Sequence, residues 1–158
     1  MAAIDTVHQN VRAFLDMIAH SEGTDNGRQP TRNHGYDVIV GGNLFHCYKD
    51  HPRELVTLGK LKIKSTAAGR YQLLSRYFDA YRNQLGLKDF SPLSQDLIAI
   101  QQIRECRALG LVEQGRFAEA VKKVKNIWAS LPGAGYGQHE NKLTDLAAVY
   151  LRKGGVLA

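Results

Sequence analysis

The residue with the most chemical promise is a glutamate at the end of an apolar helical stripe. Val7, Val11, Phe14, Leu15 and Ile18 recur at spacings of three and four, one face of a helix predicted over Thr6 to Ser21. Glu22 follows Ile18 by four residues and so continues that face toward the core side. Gly23 comes next, in the place of the left-handed residue that closes many helices. Desolvation there favours the protonated carboxyl, and the negative end of the helix dipole pushes the same way. A carboxylic acid that keeps its proton near neutral pH is the proton donor that glycosidic-bond cleavage requires. A helix-end glutamate turned out to solvent satisfies the same spacing, so the stripe alone leaves both readings open.

Whether a second carboxylate stands nearby separates mechanisms. A retaining hydrolase holds its two carboxyls about 5 Å apart, and an inverting one leaves a wider gap for water. The candidates are Asp25, Asp37 and Asp50. Asp25 lies in Thr24-Asp25-Asn26-Gly27, where capping a turn explains it as well. Asp37 opens a β-branched run beside Tyr36, either facing a cleft or standing at a strand edge in solvent. Asp50 sits in a polar loop, where solvation is the simpler account. His46, Cys47 and His51 fall short of four ligands on a defined spacing, so no metal is expected. The two cysteines, Cys47 and Cys106, form no C-x-x-C and read as free thiols of a reducing compartment.

The elements that must position these groups follow from the rest of the chain. From Gly23 to Gly35 the text is polar and turn-rich, an extended loop. Tyr36 to Val40 and Leu44-Phe45 flank Gly41-Gly42-Asn43, which predicts a hairpin, with Lys62 to Thr66 as a third strand. Residues 46 to 59 read as a surface loop. Beyond Gly69 the pattern is helical. One stripe runs through Leu73, Leu74, Tyr77, Phe78 and Tyr81 to an end near Gly86. Ser91-Pro92 then caps a helix carrying Leu93, Leu97, Ile100 and Ile103. Phe117, Ala120, Val121 and Val124 form a further stripe that continues toward Trp128, which its spacing assigns to the core. A glycine-rich break from Leu131 to Gly137 precedes a last helix with Leu143, Leu146, Ala147, Tyr150 and Leu151. Strands in one region and helices in another make the fold class α+β.

Composition narrows the function classes. At 158 residues, 44% of them hydrophobic, the chain is expected to form one domain over 1–158, with a β subdomain at about 36–68. No apolar run of about 18 residues exists, so stable membrane insertion is not expected. The start lacks the basic and then apolar stretches of a secretory signal, so either the protein stays in the cytoplasm or something other than that signal releases it. A net charge of +6 favours a polyanionic partner, such as an acidic cell-wall polymer. The basic residues are dispersed without a run of five, which argues against nucleic acid.

Four words in the chain go further than composition: Ser21-Glu22-Gly23-Thr24, Gly35-Tyr36-Asp37, Ser65-Thr66-Ala67-Ala68-Gly69-Arg70-Tyr71-Gln72, and Gly133-Ala134-Gly135-Tyr136-Gly137-Gln138. In this order and at this length they resemble the lambda-type phage lysozymes (endolysins), from about Arg12 to Trp128 and through the glycine-rich loop. The resemblance is weaker at the extreme N-terminus and after about Glu140. It implies a lysozyme-like fold, mainly helical with a small antiparallel β-sheet subdomain. It also implies cleavage of the β-1,4 bond between N-acetylmuramic acid and N-acetylglucosamine in peptidoglycan. That cleavage is lytic transglycosylation, leaving a 1,6-anhydro ring, with Glu22 as the catalytic acid. A transglycosylase needs no second carboxylate, since the muramic C6 hydroxyl attacks the anomeric carbon.

A Gly-x-x-Gln word like Gly69 to Gln72 lines the cleft in related glycan-cleaving enzymes. Tyr71 and Gln72 are therefore expected at the start of a helix and against the N-acetyl groups, although a helical Gln facing solvent is the plainer alternative. Ser65 and Asp37 join them as substrate contacts. Tyr136 and Gln138, in the glycine-rich loop, form a lip over the sugar, or else a plain interhelical linker. A monomer without cofactor is expected, held in the host cytoplasm until a separate holin opens the membrane. A hydrolytic muramidase using Asp25 or Asp37, and a non-catalytic wall-binding protein, remain the competing readings.

Overall fold

The computed structural model describes residues 1–60, 62–135 and 139–158. Helix α1, Gln9–Ser21, runs through the middle of the core. Val11, Ala13, Phe14, Leu15, Met17, Ile18 and Ala19 are all buried, the last six with no accessible surface. It packs against α6 (Leu143–Arg152) and α4 (Leu109–Glu113), and touches α3 (Pro92–Glu105). The helix starts three residues after the predicted Thr6, because His8 takes the N-cap and its Nδ1 accepts from the Asn10 amide at 3.1 Å. Asn10 is itself buried. Its side chain donates to Glu113 O and accepts from Val156 N, tying α1 to α4 and to the C-terminal tail.

The small sheet is not where the β-branched run suggested. Strands β1 (Val56–Leu58) and β2 (Ile63–Ser65) pair antiparallel, with Thr57 opposite Lys64. The expected third strand is thus β2, and its partner comes from the segment read as loop. The expected hairpin over 36–45 reduces to single bridges, Val38 with Leu44 and Ile39 with Ala68. The reason lies in burial: Tyr36, Asp37, Val38 and Ile39 are all buried, so this run is packed on every side instead of alternating across a half-exposed sheet. Its backbone groups are met piecemeal, Val40 N by Ala67 O and Val38 O by Gly69 N.

A second apolar cluster fastens this region to α2 (Ser75–Leu85) and α3. Phe45, Phe78 and Phe90 meet at its centre, with ring centroids 5.0 Å apart for Phe78 and Phe90. The buried His51 ring lies 4.9 Å from Phe90. Its Nε2 faces Leu73 O at 2.8 Å and its Nδ1 accepts from Arg53 N.

The helical half keeps the expected helices but not all of their stripes: α2 begins after Leu73 and Leu74, and Tyr77, Leu93, Leu97 and Leu151 are exposed. Ser91 caps α3, with Pro92 in its first turn, and Gly86 closes α2 at φ +65°. The α5 helix, Phe117–Val124, stops before Trp128, which enters the core on the following turn. The short α4 has no signal in the stripes, being barely longer than one turn.

Gly69 shows what holds the junction of the two parts. Its φ is +81°, and a Cβ there would run into the Gln95 amide oxygen and the Phe90 ring. Gly69→Ala is expected to cost about 2–4 kcal/mol from backbone strain and overpacking together. Thermal melting should show the loss as a drop of roughly 5–15 °C for a chain of this size.

Candidate active site

Glu22 is the residue at which α1 stops. Its amide still donates to Ile18 O at 2.8 Å, and Gly23 turns the chain away at φ +79°. Thr24 then returns to the helix end, its hydroxyl shared between Ala19 O and Arg70 O. The carboxyl is thereby held against the protein. It forms part of a cleft of about 690 Å³ whose far wall is β2, the turn after it and the start of α2. Burial pushes the Glu22 carboxyl up to about 7, opposed by one hydrogen bond that Ser130 Oγ donates to Oε2 at 2.5 Å. A large share of the molecules therefore carries the proton at neutral pH, the state a general acid needs.

The other candidate carboxylates are committed elsewhere. Asp25 is pushed up by partial burial, but the Arg70 guanidinium at 2.8 Å outweighs this and holds it below the usual range. Asp37 is buried and accepts from Thr31 Oγ1 at 2.5 Å and from Arg32 N at 3.0 Å, which pins the 31–37 loop. Asp50 pairs with Arg53 at 2.8 Å and with Arg82 at 3.8 Å. Among the described residues, Glu22 is the one carboxylate lining the cleft.

The expected substrate contacts divide. Ser65 and Gln72 line the cleft with Glu22. Ser65 ends β2, and its Oγ accepts from Ala67 N at 3.1 Å. Gln72 does not begin a helix: it sits in the turn before α2 at φ +53°, and Thr66 Oγ1 accepts from Ser75 N at the helix start. The Gln72 amide nitrogen donates to Val38 O and Gly69 O, which leaves its oxygen as the group it can offer a ligand.

Asp37 and Tyr71 do not line this cleft, a correction to the sequence expectation. Tyr71 is buried, its hydroxyl donating to Asp96 at 2.6 Å and its carbonyl accepting from Trp128 Nε1 at 3.0 Å. Asp96 also accepts from Tyr36 and from Ile4 N, so Tyr71 braces the core. Tyr136 and Gln138 lie outside the described residues. At the edges of their segment, the Glu140 carboxylate accepts from Gly133 N and Gly135 N.

Three contributors escaped the sequence reading. From either side of the glycine-rich segment, Ser130 reaches Glu22 and Asn141 reaches Ser21 and the Ser130 carbonyl, with no periodicity to mark them. Arg70 is fully buried, its guanidinium meeting Asp16 at 2.6 Å, Asp25 at 2.8 Å and the His34 carbonyl. A signal for it did exist: Asp16 sits in the middle of the α1 apolar stripe, where a carboxylate calls for a buried cation. Cys47 is exposed and Cys106 half-buried, both as free thiols.

A helix-terminal acid facing a small two-stranded sheet across an open cleft defines a lysozyme-like fold. The chain belongs to the endolysin family, enzymes that degrade peptidoglycan; the family's model matches residues 12–157. The match therefore runs past Glu140, where the sequence words thin out. The chain is 63% identical to the endolysin of Escherichia phage lambda, over 96% of this chain and 95% of that protein. It is 52% identical to the endolysin of Escherichia phage P2 over the full length of both. Among solved structures, it superposes on bacteriophage lambda lysozyme complexed with a chitohexasaccharide at a TM-score of 0.94. There the identity is 61%, with 98% of this chain and all of that one covered. A second structure of the lysozyme from bacteriophage lambda gives 0.90 at the same identity and coverage.

Proposed function

We propose that this endolysin cleaves the β-1,4 bond between N-acetylmuramic acid and N-acetylglucosamine by lytic transglycosylation, with Glu22 as the catalytic acid. The observation that carries the reading is the solitary carboxyl: Glu22 faces the cleft, while Asp25, Asp37 and Asp50 are bound to other partners. Protonated Glu22 gives its hydrogen to the leaving glycosidic oxygen. Among the described residues lining the cleft no second carboxylate meets the oxocarbenium-like centre, and the muramic C6 hydroxyl closes on it. Glu22, now a carboxylate, accepts the hydroxyl proton and is ready for the next bond. Tethering favours this ring closure over attack by water, since well-oriented intramolecular groups reach effective concentrations of about 10⁵ M or more.

The related lambda lysozyme, complexed with a chitohexasaccharide, supports a cleft that takes chains of β-1,4-linked N-acetylhexosamines. Leu55, Leu58 and Ile63 line the cleft with apolar surface for sugar rings, and the Gln72 oxygen suits an N-acetyl amide. Ser65 adds a hydroxyl on the same wall. Tyr136 and Gln138 would close over the glycan from the glycine-rich side. The whole chain acts as one catalytic unit and as a monomer. Among the described residues, no helix is long and apolar enough to cross a membrane. Membership of the endolysin family suggests that the enzyme waits in the host cytoplasm and that a separate holin gives it access to the wall.

Digestion of purified peptidoglycan tests the chemistry. The muropeptides should be lighter by one water than hydrolytic fragments, and their muramic ends should resist borohydride. Heavy-oxygen water that labels the released ends would show hydrolysis instead and overturn the reading.

A further inference from the structure

The Glu22 carboxyl does not stand alone. Ser130 Oγ lies 2.5 Å from Glu22 Oε2, Ser21 Oγ lies 2.8 Å from Ser130 Oγ, and Asn141 Nδ2 lies 3.0 Å from Ser21 Oγ. We propose that Asn141, Ser21 and Ser130 are positioning residues forming a one-way hydrogen-bond relay, which keeps Glu22 Oε2 an acceptor and so places the transferable proton on Oε1. The proposal rests on Glu22 being the acid of the reaction.

The direction of the relay follows from its two ends, a donor at Asn141 and an acceptor at Glu22. The Asn141 side-chain nitrogen faces Ser21 O at 3.1 Å and Ser130 O at 3.4 Å. Two carbonyl oxygens demand a donor, so the amide's NH₂ and not its oxygen points this way, and it can only donate to Ser21 Oγ. A Glu22 carboxylate can only accept, so Ser130 gives its one hydrogen to Oε2 and must itself accept from Ser21, whose oxygen receives the Asn141 hydrogen. The reverse order would have Glu22 Oε2 donate to Ser130 and Ser130 to Ser21. Ser21 Oγ would then accept from both Ser130 and Asn141, and its own hydrogen would lose the Ser130 acceptor it has in the forward order. The forward order keeps every hydroxyl hydrogen of the chain on an acceptor, and with it a protonated Glu22 carries its hydrogen on Oε1, the oxygen Ser130 does not hold.

The same chain serves the carboxylate state. Its hydrogen bond to Oε2 favours the anion and works against burial, the larger influence on this carboxyl. One group thus tempers the acid and assigns its two oxygens different tasks.

The charged neighbours leave this role to the relay. Lys64 on β2 and Arg76 on α2 line the cleft. Asp25 beyond α1 is bound to Arg70, and His20 lies on α1 itself. Glu140 is occupied by the Gly133 and Gly135 amides, near Lys125. Among the described residues, none of these hydrogen-bonds Glu22. The relay also joins both ends of the glycine-rich segment to the acid, since Asn141 N donates to Ser130 O at 2.9 Å.

Titration of isotope-labelled glutamate carboxyls by NMR tests this, with the Glu22 signal identified by its loss in Glu22→Gln. Ser130→Ala should raise the Glu22 midpoint by about one pH unit, the size expected for a lost hydrogen bond to a charge. Ser130→Thr, which keeps the hydroxyl, should restore it. Ser21→Ala and Asn141→Ala should raise it less, and neither should add to Ser130→Ala in the double variant. The alkaline limb of the lytic rate should follow the midpoint in each case. An unmoved midpoint in both Ser130→Ala and Ser21→Ala, or additive shifts in the doubles, would overturn the relay. The titration is read without substrate, so a product lacking the anhydro ring would defeat the proposed reaction and leave this result standing.

Discussion

Glu22→Gln should remove lytic activity and at the same time stabilise the folded protein above neutral pH. The loss should reach about 10²–10⁴-fold, the usual contribution of a positioned general acid. Gln keeps the size of Glu and an oxygen for Ser130 Oγ but has no proton to give. The stability gain follows from the same burial that makes the acid. Burial lifts the Glu22 carboxyl from 4.5 to about 7, so the folded state favours the protonated form. Its contribution to stability is fully present below about pH 4.5 and is lost as the pH rises through about 7. Above that range, keeping an ionised Glu22 in place costs roughly 3 kcal/mol at most. Glutamine avoids that cost. Melting Glu22→Gln beside the parent should show a gain of roughly 5–10 °C near pH 8 that shrinks toward zero near pH 4. Equal melting at both pH values would mean that the carboxyl is solvated and not poised as an acid.

Much of this site can be read directly from residue spacing, and what cannot has a common cause. The α1 stripe, the break at Gly23 and the Ser91-Pro92 cap are local signals, in which neighbours in sequence decide the conformation. The Val56–Leu58 strand is not such a signal: three residues after a polar stretch gain their partner only when Ile63–Ser65 folds back on them. The run from Tyr36 to Ile39 misleads for the opposite reason, since β-branched residues suit any buried segment and not only a strand. For Asp37 the spacing offers a cleft or a solvent-facing strand edge, and neither describes a buried carboxylate whose partners are Thr31 and the Arg32 amide. Tyr71 was drawn into the substrate set by its neighbour Gln72, although one residue along a turn separates a core side chain from a cleft side chain. Ser130 and Asn141 stand more than a hundred residues from the groups they serve, a distance no local pattern spans.

Replacing Arg70 should be the most destabilising single change in the molecule. Its guanidinium has no exposed surface and bridges Asp16 on α1, Asp25 after α1 and the His34 carbonyl, between the rings of Tyr36 and Tyr71. Its backbone is used as fully: Arg70 N donates to Gln95 and Arg70 O accepts from Thr24. Arg70→Met keeps most of the volume but leaves Asp16, 1% exposed, with no cation nearer than the exposed Met1 ammonium at 3.7 Å. An uncompensated buried charge of this kind costs about 3–5 kcal/mol. Arg70→Lys should recover only part of the loss, because an ammonium cannot fork to both carboxylates at once. The remedy lies with the other partner: Arg70→Met combined with Asp16→Leu removes both charges and should regain most of the stability. The pair is already imperfect, since Asp16 Oδ2 and Arg70 Nε are buried with no hydrogen-bond partner. Urea unfolding of the single and double variants measures this directly. If Arg70→Met alone unfolds at the parent's urea midpoint, Asp16 is compensated by some other group. The double variant should still lose activity even where it regains stability. Asp25 is then released, and the stretch from Glu22 to Asp25 is held against the Gly69–Gln72 turn only by the Thr24 hydroxyl. Stability and acid placement would thus separate in one protein, marking Arg70 as the residue that fixes the catalytic end of α1.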